Sequence, residues 1–282
     1  MTAHANKAMT WRRALAIYPL ALVLVVFTLF PIYWVVNSSL KPDSELFHFP
    51  PLYWPSQINL RSYISAIHSG RLASFYLNSI TVAACTCLAT LVLVVFGGYS
   101  MSRFRFRGKG VIILMFLTAQ MLPAVVLIAP LFAIFSVLHL VNTRWVLIIS
   151  YVITSLPFCV LMMRGFFDSL PHDMEEAAMV DGSSRTGALF RVLLPVALPG
   201  LVATSIFAFI DAWNELIFAV MFISSTSLQT LPVGLNLMIQ EKRTEYGLLL
   251  ALAVLALIPS LFLFGYIQRY LTSGLTAGAV KG

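Results

Sequence analysis

The sequence predicts an all-α integral membrane protein with six transmembrane helices. Of its 282 residues, 60% are hydrophobic and only 10% are charged. A water-soluble domain of this length has no place to hide so much apolar surface, whereas lipid can serve as its solvent. Six windows contain no Asp, Glu, Lys or Arg: Ala14–Leu40, Leu72–Ser102, Gly110–Thr143, Trp145–Met163, Val192–Ile210 and Tyr246–Gln268. Each can supply the roughly 17–25 apolar residues that cross a hydrocarbon core of about 30 Å. The windows are continuous apolar runs without the short alternation of a barrel, so the helix is the form that satisfies its own backbone in lipid.

The spans fall at about 14–38, 74–100, 111–137, 145–166, 196–222 and 246–268, in one transmembrane domain covering 1–282. The first is too long for the apolar core of a cleaved leader, and no small-residue cleavage site precedes Asn37-Ser38-Ser39. The fifth must continue past Asp211 and Glu215. Pro19, Pro31, Pro123, Pro130, Pro157 and Pro259 fall inside spans and mark kinks. Cys85, Cys87 and Cys159 also lie in spans, without metal-ligand spacing, so no metal site is expected.

Basic residues set the orientation. With a cytoplasmic N-terminus, the inner segments hold Lys7, Arg12, Arg13, Arg103, Arg105, Arg107, Lys109, Arg164, Arg185, Arg191, Arg269 and Lys281. The outer segments hold Lys41, Arg61, Arg71, Arg144, Lys242 and Arg243. That division, 12 against 6, has the sign of the positive-inside rule and places both termini in the cytoplasm. The net charge of +7 is then a matter of topology, and no nucleic acid partner is expected.

Between spans, the outer segment Lys41–Arg71 includes "HFPPLYWP" and reads as irregular, with a short helix near Ser62–His68. "SRFRFRGK", Ser102–Lys109, is a short inner turn. Its alternating Arg and Phe suit either a lipid-headgroup anchor or snorkelling topology determinants. The inner loop 168–195 is far longer than the 2–8 residues a helix connection typically needs. Its signals are those of a helix–turn–helix. Ser169 can cap, Pro171 suits a first turn, and Asp173, Glu175 and Glu176 complement a helix N-terminus. Asp181-Gly182 ends that helix, Ser183 or Ser184 caps a second, and Pro195 terminates the second or redirects it into the next span. A solvated connector is the alternative reading.

The loop contains Glu176-Ala177-Ala178, three residues, Gly182, nine residues, then Val192-x-Leu194-Pro195. This resembles the EAA loop of bacterial ABC importer permeases, with Val192 where isoleucine is frequent. "LNSI" (Leu77–Ile80), "GGYSMSRFRFRGK" (Gly97–Lys109), "RGFF" (Arg164–Phe167), "WNE" (Trp213–Glu215) and "GLTAGAVKG" (Gly274–Gly282) resemble the carbohydrate-uptake type, in particular the second permease subunit of the maltose transporter. The resemblance implies a bacterial inner-membrane subunit that forms a heterodimer with a homologous permease. It also implies two cytoplasmic ATPase subunits and an external solute-binding protein. Glu176, Ala177, Ala178, Asp181, Gly182, Leu194 and Pro195 would then form the ATPase-coupling element. No G-x-x-x-x-G-K-[ST] occurs, so ATP is expected to be used by the partner ATPase and no cofactor is expected on this chain.

Asp211 and Glu215 are the only acidic residues inside a predicted span, four apart and so on one helical face. Counting from Val196, they lie roughly 22 and 28 Å along the helix. Such residues face a cavity or a partner in preference to lipid. With Trp213 and Asn214 they are candidates for the substrate pathway, and Asn78 and Gln120 are weaker ones; interhelical pairing is the alternative for all of them. An ion-coupled secondary transporter would also use Asp211 or Glu215, but it predicts related halves with paired broken helices, which the sequence lacks. An importer for glycerol phosphate or another non-sugar solute stays open. No catalytic motif is present.

Overall fold

The computed structural model describes residues 11–68, 70–240 and 245–279. Lys7, Lys242, Arg243 and Lys281 lie outside the described residues, as do the side chains of Arg12, Arg13, Arg71 and Arg269. Among the described residues the regular elements are all helices. Four are long and apolar enough to cross a membrane, and two bent pairs bring the number to six when each pair is one span.

The chain divides into two units, Met1–His68 with Glu241–Leu255, and Ser69–Gln240 with Ala256–Gly282. The first holds α1 (Trp11–Ser39), α2 (Arg61–His68) and the start of the last helix. Residues 17–31 of α1 are exposed throughout, as suits a helix whose solvent is lipid. At its Ser39 end the chain folds back. Ser39 Oγ and Tyr63 Oη are 2.6 Å apart, and the Asn59 amide donates to Leu40 O at 2.8 Å. Lys41 is buried, donates from Nζ to Leu52 O, and sits 4.6 Å from the Trp34 ring centroid. A carbonyl and a π-face thus replace its hydration. Nearby, the Ser56 hydroxyl and amide both donate to Glu45, holding its carboxyl below the ordinary range. That pair persists at neutral pH and is lost as acidification protonates Glu45.

The second unit holds α3 (Arg71–Arg103), α4 (Lys109–Met121), α5 (Ala124–Val137), α6 (Arg144–Asp168), α7 (Asp173–Val180) and α8 (Arg185–Val196). It continues with α9 (Leu198–Asn214), α10 (Ile217–Phe222), α11 (Leu231–Gln240) and the rest of α12 (Tyr246–Ala279). Its centre is α3 packed on α6, with α9 against both. Val94, Val95 and Tyr99 of α3 meet Cys159, Val160, Met163 and Phe167 of α6 in one core. Phe75, Val82, Tyr151, Trp213, Phe218 and Phe222 form a second toward the other end. Small residues let the backbones close up. A Cβ on Gly98 would lie 3.1 Å from the Arg164 amide nitrogen, and one on Gly200 would lie 2.3 Å from Phe166 Cγ.

The third span is kinked where its prolines predict a kink, and the fifth is broken as well. α4 and α5 meet at 105°. Pro123 forces Leu122 out of the helical region, to φ −77 and ψ 125. α8 and α9 meet at 80°, at Ala197, two residues beyond Pro195. Pro195 does not end α8. Its missing amide follows a π-helical stretch, Leu189–Leu193, which absorbs the irregularity. α9 runs from Leu198 to Asn214, where Glu215 is extended at ψ 127. Its 17 residues span about 25 Å.

Gly200→Ala should drive a methyl into Phe166 and destabilise the protein by about 1–3 kcal/mol. Gly165 in α6 has nothing within 4 Å of an added Cβ, so Gly165→Ala is the matched control. Thermal unfolding of the two purified variants should separate them, with only Gly200→Ala lowered.

Candidate coupling loop and pathway cavity

α6 ends at Asp168, and Ser169 closes it, donating from Oγ to Phe166 O at 2.7 Å. Ser169 is thus a C-cap and not the N-cap its sequence position suggests, and Pro171 precedes α7 without entering it. α7 carries Asp173, Glu175 and Glu176 in its first turn. After Asp181 the chain reverses through Gly182 at φ +88. The Gly182 amide donates to Met179 O (3.1 Å) and Ser183 to Ala178 O (3.0 Å), a Schellman closure that favours glycine at the left-handed position. Ser184 caps α8, accepting from the Gly187 amide at 3.1 Å.

The helix pair has two distinct faces. Ala178, Ala188, Leu189 and Leu193 are buried, the two leucines in the core formed by α3 and α6. Ala178 packs inward, so of the two alanines only Ala177 lies on the outer surface. Leu194 is half-buried against that core and Pro195 is exposed. The outer face presents Asp173, Glu176, Ala177, Val180, Asp181 and Gly182. Val180 is 86% exposed, a large apolar side chain on a polar tip.

Glu175, which the sequence reading passed over in favour of Glu176, is buried. It pairs with Arg103 Nε at 3.3 Å and Arg185 Nε at 3.5 Å, and accepts from the Tyr99 hydroxyl. Arg103 is therefore drawn inward and is neither a headgroup anchor nor a snorkelling residue; Arg105 and Arg107 remain exposed.

A cavity of about 470 Å³ opens beside the α4–α5 break. Gln120, Thr154, Ser155, Asp211 and Glu215 bring polar groups to it, and Leu122, Ile153, Phe158, Phe207 and Phe218 are among its apolar walls. Asn214 joins Asp211 and Glu215 in an adjoining hollow of about 300 Å³. Four of the six pathway candidates thus converge. The two carboxylates do not share a helical face, because α9 ends between them. Glu215 turns back to accept from the amides of Phe218 (3.0 Å) and Ala219 (3.3 Å), capping α10. Asp211 has no hydrogen bond or ion pair among the described residues.

Trp213 and Asn78 lie elsewhere. Trp213 is buried, donates to Ala256 O at 3.2 Å and stacks beside Phe209. Asn78 is saturated. Its Nδ2 donates to Ser227 O (2.8 Å) and Gln229 O (3.0 Å), and its Oδ1 accepts from Arg144 (2.8 and 3.1 Å). Both hold the bundle together.

In the second unit, apolar helices line a cavity with a few convergent polar groups, an arrangement suited to a membrane transport protein. Residues 91–276 match the family described as binding-protein-dependent transport system inner membrane component, and the chain belongs to it, a multi-pass permease of ABC importers. It is 37% identical over 93% of its length to the sulfoquinovosyl glycerol transport system permease protein SmoH of Agrobacterium fabrum, covering 92% of that protein. It is 33% identical, again over 93%, to the trehalose/maltose transport system permease protein MalG of Thermococcus litoralis, covering 95% of it. The fold matches a chain of a bacterial ABC transporter that imports the acidic polysaccharide alginate, with a TM-score of 0.77 and 20% identity, over 96% of this chain and 99% of that one.

Glu215→Ala should cost about 0.5–2 kcal/mol by leaving the first turn of α10 uncapped. Asp211→Asn removes no contact and should leave the unfolding temperature unchanged while altering transport. Equal destabilisation by both would assign Asp211 to pairing.

Proposed function

We propose that this chain is one of two homologous permeases that together form the pathway for a carbohydrate or related polyol, driven by two separate ATPase subunits. The outer face of α7 carries the proposal: small Ala177, charged Glu176 and exposed Val180 stand together beside a turn fixed by Gly182. Such a face suits insertion into a groove, and it belongs on the cytoplasmic side together with both termini, following the distribution of Lys and Arg. ATP is hydrolysed by the partner, and this chain contributes movement without a cofactor of its own. An external binding protein delivers the solute, in keeping with the family description and with another solved structure, 14% identical, of a bacterial alginate ABC transporter in complex with a periplasmic protein.

The relatives' names point to glycosides and oligosaccharides, diacetylchitobiose among them. The cavity adds its own support. Two carboxylates and no Lys, Arg or His line it, which disfavours glycerol phosphate against a neutral polyhydroxy solute. Its paired acceptors and apolar walls suit hydroxyl groups and a sugar's flat face.

Glu176→Lys and Gly182→Val should leave the permease pair assembled and abolish solute-stimulated ATP hydrolysis. Gly182→Val fails because a β-branched residue tolerates positive φ poorly. At a buried interface the charge reversal should cost on the order of 2–5 kcal/mol of ATPase binding, and a compensating reversal in the groove should restore part of it. A cysteine at Ala177 should cross-link to the ATPase. Normal ATP hydrolysis in both variants without a cross-link would reduce the loop to a connector.

A further inference from the structure

We propose that Glu175 is a positioning residue that locks the α7–α8 pair to the end of α3, so that displacement of the loop is carried into the bundle and not absorbed at the joint. This rests on the reading of α7 as the ATPase-docking element. Glu175 is 5% exposed on a helix whose outer face is open to solvent. A carboxylate buried there needs compensation, and it comes from two other elements. Tyr99 and Arg103 reach it from the last turns of α3, and Arg185 from the start of α8. Arg103 also donates to Leu170 O at 3.0 Å and stands 3.4 Å from His172 Nε2, so one guanidinium holds both α7 and the linker before it. Arg185 in turn lies 5.1 Å from the Phe104 ring centroid, just past the end of α3.

The remaining attachment is apolar, through Ala178, Leu189 and Leu193. Apolar contact is non-directional and lets a helix slide at small cost. The bond from the Tyr99 hydroxyl to the carboxylate has a preferred distance and direction, and the ion pairs with Arg103 and Arg185 add attraction from two sides, so that together they fix the helix in register. Glu176 and Glu175 line the same small hollow of about 180 Å³, with Arg103 and Arg185 on its walls. A push on the outer face therefore arrives one residue away from the lock.

The test uses the complete complex in lipid nanodiscs, with Cys85, Cys87 and Cys159 replaced by alanine and spin labels at Arg191→Cys on α8 and Leu88→Cys on α3. With Glu175 present, ATP–vanadate trapping should leave the distance between the labels unchanged. In Glu175→Gln the same trapping should shift or broaden it. Glu175→Gln with Arg103→Met removes the unpaired buried charge as well, and it separates stability from locking; it also serves where the single variant fails to assemble. Its distance should still shift. An unchanged distance in the double variant, or a wild-type distance that itself moves on trapping, would overturn the proposal. The Ala177 cross-link is read in parallel: its presence alongside an unmoved double variant sinks only the lock, and its loss sinks the docking reading.

Discussion

α3 and α6 approach so closely that a Cβ on Gly98 would lie 3.1 Å from both the Arg164 amide nitrogen and Met163 Cβ, tighter than ordinary packing. Within a bilayer there is little hydrophobic gain from helix association, because lipid tails are as apolar as leucine. Close packing and polar contacts must supply the attraction. Small residues here bring the backbones together, and buried Thr90 of α3 meets Ser155 of α6 at 3.4 Å, with Ser150 buried nearby on α6. Ser150 and Ser155 satisfy their hydroxyls on the carbonyls of their own helix, so they carry no unpaired donor into the interface. α9 then docks on the pair by the same device, with Gly200 under Phe166.

Polar staples close both ends of this pair. At one end Arg144 at the start of α6 reaches Asn78 on α3, which in turn holds the carbonyls of Ser227 and Gln229. Ser79 beside it accepts from the Leu231 amide at 2.8 Å and fixes the start of α11. At the other end Ser102 of α3 donates to Asp168 of α6 at 2.6 Å, and Glu175 accepts from Tyr99 and pairs with Arg103 and Arg185. Charges are affordable at these ends because water and headgroups are near, while the middle is apolar. The result is a helix pair tied at both ends.

The spans were legible because lipid leaves a coarse mark, a long window without charge, and the window edges fall within a few residues of α1, α3 and α6. The loop was legible as helix–turn–helix because its turn needs glycine and its second helix a serine cap. The break after Asn214 left no mark, since neither proline nor glycine stands there and the cause is Glu215 choosing the amides of α10. Pro123 announced a kink without its angle. Glu175 and Glu176 look alike in sequence, and only the phase of a short helix decides which of them turns inward. Arg103 sits in an alternating Arg-Phe run that reads as surface. Asn78 and Trp213 misled for the opposite reason: polar atoms in a span suggest a pathway, yet a saturated Asn and an indole bonded to a carbonyl are bundle glue.

Glu215 and Asp211 show how one cavity can contain a structural acid and a free one. Helix α10 supplies two amides to Glu215, one on each carboxylate oxygen, and fixes its orientation. Asp211, on the last turn of α9, keeps its acceptors open, and Phe207 one turn earlier lines both the cavity and the hollow beside it. An ionised side chain at that depth is costly unless something polar covers it. Within this chain nothing described does so, and Asp211 remains on an open face. Its cover must come from water in the pathway, from solute hydroxyls, or from a second permease closing the other side. Under the proposed function each of these fits a cavity that forms part of a conduit.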